Sequence, residues 1–371
     1  MIKLRVITLK EYNMLKRITV LAIVALSFNS QAAIINLNFD DSQFVGTEGQ
    51  QAKGAFREAA DFWESTLKDD VSLNFDINFT QLQSNVIGSA SSNRSYIDYG
   101  SIGAALYSDA QTPAELASLG GLNCSPNVTT GECEVPFLED VNGIATVDND
   151  STADNRIISL TNANAKALGF VVSEPVDATI TFNSDFSFDY DRSNGISSNL
   201  MDFVGVTIHE IGHALGFTSG VDIVDQNPSL NLDPFSYVSV LDLFRYSDES
   251  AGLGLIDMRT GVDSYLSFDG GQTSSSALST GVNSGDGQQA SHFKDNIGAG
   301  IMDPTFAFGE FGYVSDNDLA AFNFIGWDLF DLVEEPISVS EPGAPAMLLS
   351  GLAMMLLYRR RRDDKIPRQM N

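Results

Sequence analysis

The chain has 371 residues, 43% of them hydrophobic, and a formal net charge of −28. That is enough apolar material for one large domain, or for two subdomains sharing a cleft, and it argues against a disordered chain. Between residues 33 and 342 the imbalance deepens to 10 Lys and Arg against 46 Asp and Glu, a surface that repels nucleic acid and anionic lipid and excludes both as partners of the folded body. Solubility is the simplest account of such a surface; calcium affinity and a saline habitat are the others.

From Met14, the run MLKRITVLAIVALSFNSQAA has a basic start, an apolar centre from Ile18 to Phe28, and small residues at Ser30 and Ala32. This is the layout of a secretory signal peptide over residues 1–32, cut after Ala32. The thirteen residues before Met14 add a second basic stretch that such signals seldom need, which makes Met14 an alternative start. Residues 50–67 place Ala52, Ala55, Phe56, Ala59, Phe62, Trp63 and Leu67 at helical intervals, an amphipathic helix. Val71, Leu73, Phe75, Ile77 and Phe79 then alternate with polar residues, a strand with one buried face. Residues 88–154 read as loop-rich, with a helical piece around 112–119.

Inside that stretch Cys124 and Cys133 bracket SPNVTTGE, a turn-rich loop that one bridge can close. An even cysteine count in an exported chain favours a disulfide. The rival, a cysteine that caps a metal in a latent form, lacks an activation motif around either residue. ATITF at 178–182 is a short strand. It leads into DFSFDYDRSNG, where Asp185, Asp189 and Asp191 ahead of Gly195 have the alternation of a calcium loop, although the twelfth position from Asp189 is Leu200 and not Glu. The alternative there is a solvated Asx turn.

HEIGHALGF, residues 209–217, carries the chemistry. A helix puts His209 and His213 on one face a turn apart with Glu210 beside them, which supplies two zinc ligands and a base for a water molecule. The bland alternative, a helix with two half-buried histidines, is weakened because the chain has only three histidines and two fall at this spacing. Ser197, Ser198 and Asn199 offer N-cap side chains, Asp202 puts a negative charge in or near the first turn, and Gly216 fits the stop. A third ligand has to come from farther on. One histidine remains, His292, with 78 residues between it and His213, in ASHFKDNIGAGIMDP; Asp222 and Asp225 are the alternatives. The intervening insertion contains buried-type runs (VSVLDLFRYS, SYLSFDGG) and a Gly/Ser-rich stretch, 270–289, that reads as a surface loop, and as a whole it is expected to form one wall of the cleft. Residues 316–327 read as a closing helix. The tail has a linker with Pro336, Pro342 and Pro345, an apolar run AMLLSGLAMMLLY too short for an ordinary span, and four arginines at 359–362 that hold the end in the cytoplasm.

HExxHxxGF, a long insertion, a lone SHF histidine and then IMDP together resemble leishmanolysin-like metzincins, and especially the bacterial zinc metalloproteases that carry a PEP-CTERM sorting signal. The likeness runs from about Phe56 to Asp328 and includes FNSDFSFDYD, VLDLFRYS and FIGWDLF. Where other metzincins place their third histidine shortly after the glycine, this chain has Ser219. The resemblance implies an α+β fold: a twisted mixed sheet with an active-site helix in residues 33–216, and a largely irregular subdomain in 217–333. It implies Zn2+ on His209, His213 and His292, Glu210 as general base, Met302 as the methionine of a turn beneath the metal, and a substrate-binding edge strand near 178–182. Tyr313 is the nearest downstream tyrosine and takes no assigned role. The tail, 334–371, is similar to a PEP-CTERM signal with Ser340 in place of the first proline. It implies an exosortase-type partner, transient inner-membrane anchoring and export from a Gram-negative cell to its surface or medium; a plain tail anchor is the alternative. The expectation is a secreted zinc endopeptidase acting on protein or peptide, with a surface or matrix protein holding a structural zinc as the rival from another class.

Overall fold

The computed structural model describes residues 32–330 except 121, 123–124 and 127–132. Residues 1–31 of the signal stretch, the tail, Cys124 and the expectations placed on them therefore lie outside the described residues. The chain divides into two units after Phe330, and the first is mixed α+β. Among the described residues no helix is long and apolar enough to cross a membrane.

Strand β1 (Ile34–Phe39) leads into helix α1 (Gly46–Thr66) and back to β2 (Ser72–Thr80), parallel to β1. The alternation in β2 buries Leu73, Phe75 and Ile77 completely. Helix α1 begins four residues before the expected start, because its first turn contains Gly46 and Gly49 and its N-cap is Val45, which makes no side-chain cap. Neither feature leaves a mark in the apolar period or the capping pattern.

Among its described residues, the stretch 88–154 is richer in regular elements than the sequence suggests. It holds β3 (Gly88–Ser92), β4 (Arg94–Asp98), α2 (Tyr99–Asp109) and a hairpin of β5 (Phe137–Val141) and β6 (Ile144–Asp148). The helical piece is present as Pro113–Leu119, with a Thr112/Glu115 capping box. Cys133 is disulfide-bonded. Strand β7 (Ile157–Thr161) pairs antiparallel with β4, and α3 (Asn162–Ala167) follows it.

Strand β8 (Ala178–Asn183) completes the main sheet in the order β1-β2-β8-β3, with β3 alone antiparallel. The edge strand on that side of the sheet is therefore β3, with β1 at the opposite edge, while 178–183 sits inside the sheet. GSASS has neither β-branched nor aromatic residues, which is why propensity does not reveal it.

Helix α4 (Phe203–Leu215) carries the HExxH residues and packs on α1 and β3. Phe56, Phe182 and Phe203 meet between sheet and helices, with ring centroids 4.5–5.2 Å apart. Both tryptophans of the chain donate to carbonyls of α4: Trp63 Nε1 to Ile208 O at 3.1 Å, and Trp327 Nε1 to Leu215 O at 2.8 Å. The second satisfies one of the carbonyls that a helix end leaves open.

The stretch 270–289 is only partly a surface loop. Ser276–Leu278 forms a strand against Ser264–Leu266, and Ser276, Leu278, Ser279 and Thr280 are buried. Serine hides this strand from composition, since its hydroxyl can be buried once bonded. The closing helix α5 (Asp316–Phe324) ends three residues short of Trp327 and is capped by Ser315 and Asp318.

Candidate metal centre

Helix α4 is started by Asp202, whose Oδ1 accepts from Gly205 N at 2.9 Å. Ser197–Asn199 do not cap it; Leu200 N bonds back to Ser197 O and the chain is still extended at Met201–Asp202. Asp202 also holds Arg192 at 2.9 Å and Gly312 N at 3.0 Å. Gly216, with φ +123°, ends the helix as the sequence suggests.

The three histidines of the chain meet. Nε2 of His213 lies 3.1 Å from Nε2 of His209 and of His292, and the third side of the triangle is 3.3 Å. Three ligands of one tetrahedral ion at zinc–nitrogen distances of about 2.0–2.1 Å are separated by roughly 3.4 Å. Each ring's other nitrogen is held by a main-chain carbonyl: His209 Nδ1 by Ile301 O at 2.7 Å, His213 Nδ1 by Phe217 O at 2.7 Å and His292 Nδ1 by Gln289 O at 3.2 Å. A carbonyl only accepts, so every Nδ1 carries the proton and every Nε2 presents its lone pair inward. Burial drives the affinity for a second proton down, to about 3 at His209 and about 4 at His213, and well below the usual range at His292. Three neutral imidazoles aimed at one point fit a transition metal of borderline softness.

Glu210 is 5% exposed and stands in the same cleft. Burial pushes its carboxyl up to about 8, opposed by a hydrogen bond from the backbone of Ala90 on β3. The cleft has a volume of about 590 Å³. Its floor is His209, Glu210, His213 and His292; one wall is Val86–Ala90, and the other includes Gln288, Gln289 and Phe306.

Met302 is fully buried beneath the centre. A Cβ placed on Gly212 of α4 would lie 2.7 Å from its Sδ, so the helix rests directly on this sulfur. Sequence reasoning missed what holds the turn. Asp318 accepts from Ile301 N at 2.9 Å and Met302 N at 3.0 Å, while Ile301 O orients His209 and Met302 O receives Phe293 N at 2.9 Å, next to His292. The Ser315-x-x-Asp318 capping box was the available signal. Ser279 was missed too: its N–H donates to His292 O at 3.0 Å and its hydroxyl to Phe293 O at 2.9 Å.

The alternative third ligands are committed elsewhere. Asp222 accepts from Ala290 N at 2.6 Å and Ser291 N at 3.1 Å, which positions the His292 segment. Asp225 accepts from Asn283 N and Ser284 N, both at 2.8 Å. Tyr313 is exposed and its hydroxyl donates to Gly298 O at 3.2 Å, away from the cleft. Asp185, Asp189 and Asp191 are not brought together as a calcium loop. Asp191 caps the turn at Ser193 (3.0 Å), Asp189 accepts from Ser197 N (3.0 Å), and Asp185 accepts from Gln81 (2.7 Å). Among the described residues the groups that converge on a common point are the three histidines, Asp69/Asp109/Asp328 and Asp148/Asp154/Asp233.

Searches of family profiles, curated proteins and solved structures return no match to this chain.

Proposed function

We propose that the protein is a secreted zinc-dependent endopeptidase with a metzincin-like catalytic unit, in which His209, His213 and His292 hold the metal. The observation that carries this is the triangle of three inward-facing Nε2 atoms, 3.1–3.3 Å apart, at the floor of an open cleft with a carboxylate beside it. Zinc held there supplies Lewis acidity that activates water and polarises a carbonyl. Glu210 accepts the proton of the attacking water and delivers it to the leaving amine. The peptide lies along β3, whose outer edge faces the cleft, and takes main-chain hydrogen bonds as an added strand. The mixed sheet with its antiparallel edge strand, the active-site helix and the methionine turn beneath it support the metzincin-like reading. The signal and tail motifs extend the proposal to export from a Gram-negative cell, with an exosortase-type enzyme acting on the tail.

Casein or gelatin hydrolysis by the purified protein tests this reading. Activity should be abolished by a chelator and restored by zinc, and Glu210→Gln should retain zinc while losing turnover by roughly three orders of magnitude or more. Full activity in Glu210→Gln would remove the assigned base, and no hydrolysis by the zinc-loaded wild type would favour a structural metal.

A further inference from the structure

Between residues 33 and 342 the bases number 10 against 46 acids, and most of them hold a carboxylate: Lys53 with Asp41, Arg57 with Asp61, Lys166 with Asp177, Arg192 with Asp202, Arg259 with Asp257 and Lys294 with Asp263. Arg94 holds none among the described residues. It opens β4, and neutral partners fix its guanidinium: Nε donates to Ser159 Oγ at 2.7 Å, and Nη2 to Ser159 O at 3.1 Å and Thr218 Oγ1 at 3.3 Å. Nη1 donates to no described residue, and it is not sealed from water as the unpartnered Nε and Nη1 of Arg245 are.

Arg94 lines the histidine cleft together with His213, Thr218 and Ser291. Its partner Thr218 follows Phe217, whose carbonyl holds His213 Nδ1, and Ser219 N is bonded to Ser291 Oγ beside His292. Among the described residues lining the cleft, Arg94 is the one lysine or arginine and Glu210 the one acid. Burial weakens the hold of Arg94 on its proton, opposed by Tyr96 and then Asp242. Asp242 is committed elsewhere, accepting from Ser219 Oγ at 2.5 Å, Gly220 N at 2.7 Å and Ser239 N at 2.8 Å. We propose, on the basis of the peptidase reading above, that Arg94 sets substrate specificity: its unpartnered edge binds the side-chain carboxylate of a Glu or Asp in the peptide.

A guanidinium so placed selects a carboxylate over a neutral amide, because charge-assisted hydrogen bonds are roughly twice as strong as neutral ones. Ser159 and Thr218 already hold its planar fork, so little side-chain freedom is left to lose on binding. The acidic exterior does not prevent the encounter, since exposed charges more than about 8 Å away are largely screened at physiological salt. Strand β3 runs from Gly88, which stands against Glu210, to Ser92, and Arg94 lies just past its end. Ala90 bonds Glu210, and the four residues from there to Arg94 span at most ~13 Å. A peptide along β3 therefore passes Glu210 and Arg94 in turn, which puts the acid within roughly four residues of the bond cut, on one side of it.

Fluorogenic peptides blocked at both ends test this, with Glu moved through four positions on each side of the cleaved bond and each peptide compared with its Gln counterpart. The zinc-loaded wild type should favour Glu at one position by about tenfold or more in kcat/KM. Arg94→Gln should bring that ratio close to one, while Arg94→Lys, which keeps the charge without the fork, should retain part of it; melting temperature and zinc content are measured alongside. Cleavage of casein by wild type with equal kcat/KM for Glu and Gln at every position would overturn this inference alone, whereas no cleavage of any substrate would remove the peptidase reading beneath it. Equal losses toward Glu and Gln peptides in Arg94→Gln would reduce Arg94 to a tie between β4 and Thr218 and overturn the proposal. So would a preference confined to peptides with a free carboxyl terminus, which would assign the carboxylate to the chain end.

Discussion

Gly88 bounds the space in which the Glu210 carboxylate stands. A Cβ at Gly88 would lie 2.7 Å from Glu210 Oε1, closer than real Cβ contacts come, and 3.1 Å from its Cγ and Cδ, tighter than most. Gly88→Ala should therefore displace the carboxylate and leave the helix in place. Since misplacing a catalytic group by about 1 Å can cost ~100-fold, kcat/KM should fall by one to two orders of magnitude with zinc content unchanged. Steady-state kinetics alongside metal analysis checks this, and wild-type turnover in Gly88→Ala would place the working carboxylate elsewhere. At this scale the sequence was informative about His209, Glu210 and His213, because one helical turn fixes their mutual geometry. His292 was reachable by counting histidines and by the likeness of its SHF and IMDP context, but not from local geometry, which left Asp222 and Asp225 open. Gly88, Asp222 and Ser279 were not legible in their roles, since each acts across a gap in the chain that only folding closes.

At the scale of elements, α4 is held from below by Met302 and from the side by two indoles, and the methionine turn is held by one carboxylate. Asp318→Ala would leave Ile301 N and Met302 N without acceptors in a buried place, a penalty of about 1–3 kcal/mol for each. Because Ile301 O orients His209, the variant should melt at a lower temperature and bind zinc roughly 10-fold more weakly. Competition with a chromophoric chelator reads the second effect. Unchanged zinc affinity in a destabilised variant would mean that the turn supports the fold without tuning the site. Helix α1 and strand β2 were readable because their apolar residues keep strict periods of 3.6 and 2. The edge strand β3 and the strand at Ser276–Leu278 were not, because Gly, Ser and Ala give no hydrophobic alternation, and it is their small size that lets them lie against the helix and the His292 segment.

Across the whole molecule, acids outnumber bases, and some of them stand half-buried together where α2 meets the carboxy-terminal end of the described unit. Burial, then repulsion from Asp328, lifts both Asp69 and Asp109 from an ordinary 3.8 to about 7. A carboxyl raised on folding binds its proton more tightly in the folded chain, so stability from this group is full below about pH 3.8 and declines as the pH rises through about 7. Asp109→Asn should therefore raise the melting temperature at pH 8 by roughly 2 °C and change it little near pH 4. An equal shift at both values would assign the effect to packing. The strong charge imbalance and the α+β alternation were legible in composition and pattern; the pairing order β1-β2-β8-β3 was not, because register and strand order depend on contacts distant in the chain. The most direct measurement is the metal content of the purified wild type and of His292→Ala. Wild type should hold about one zinc per chain, and the variant should lose both zinc and peptidase activity. Wild type without a transition metal, or a variant that keeps zinc and activity in full, would contradict this.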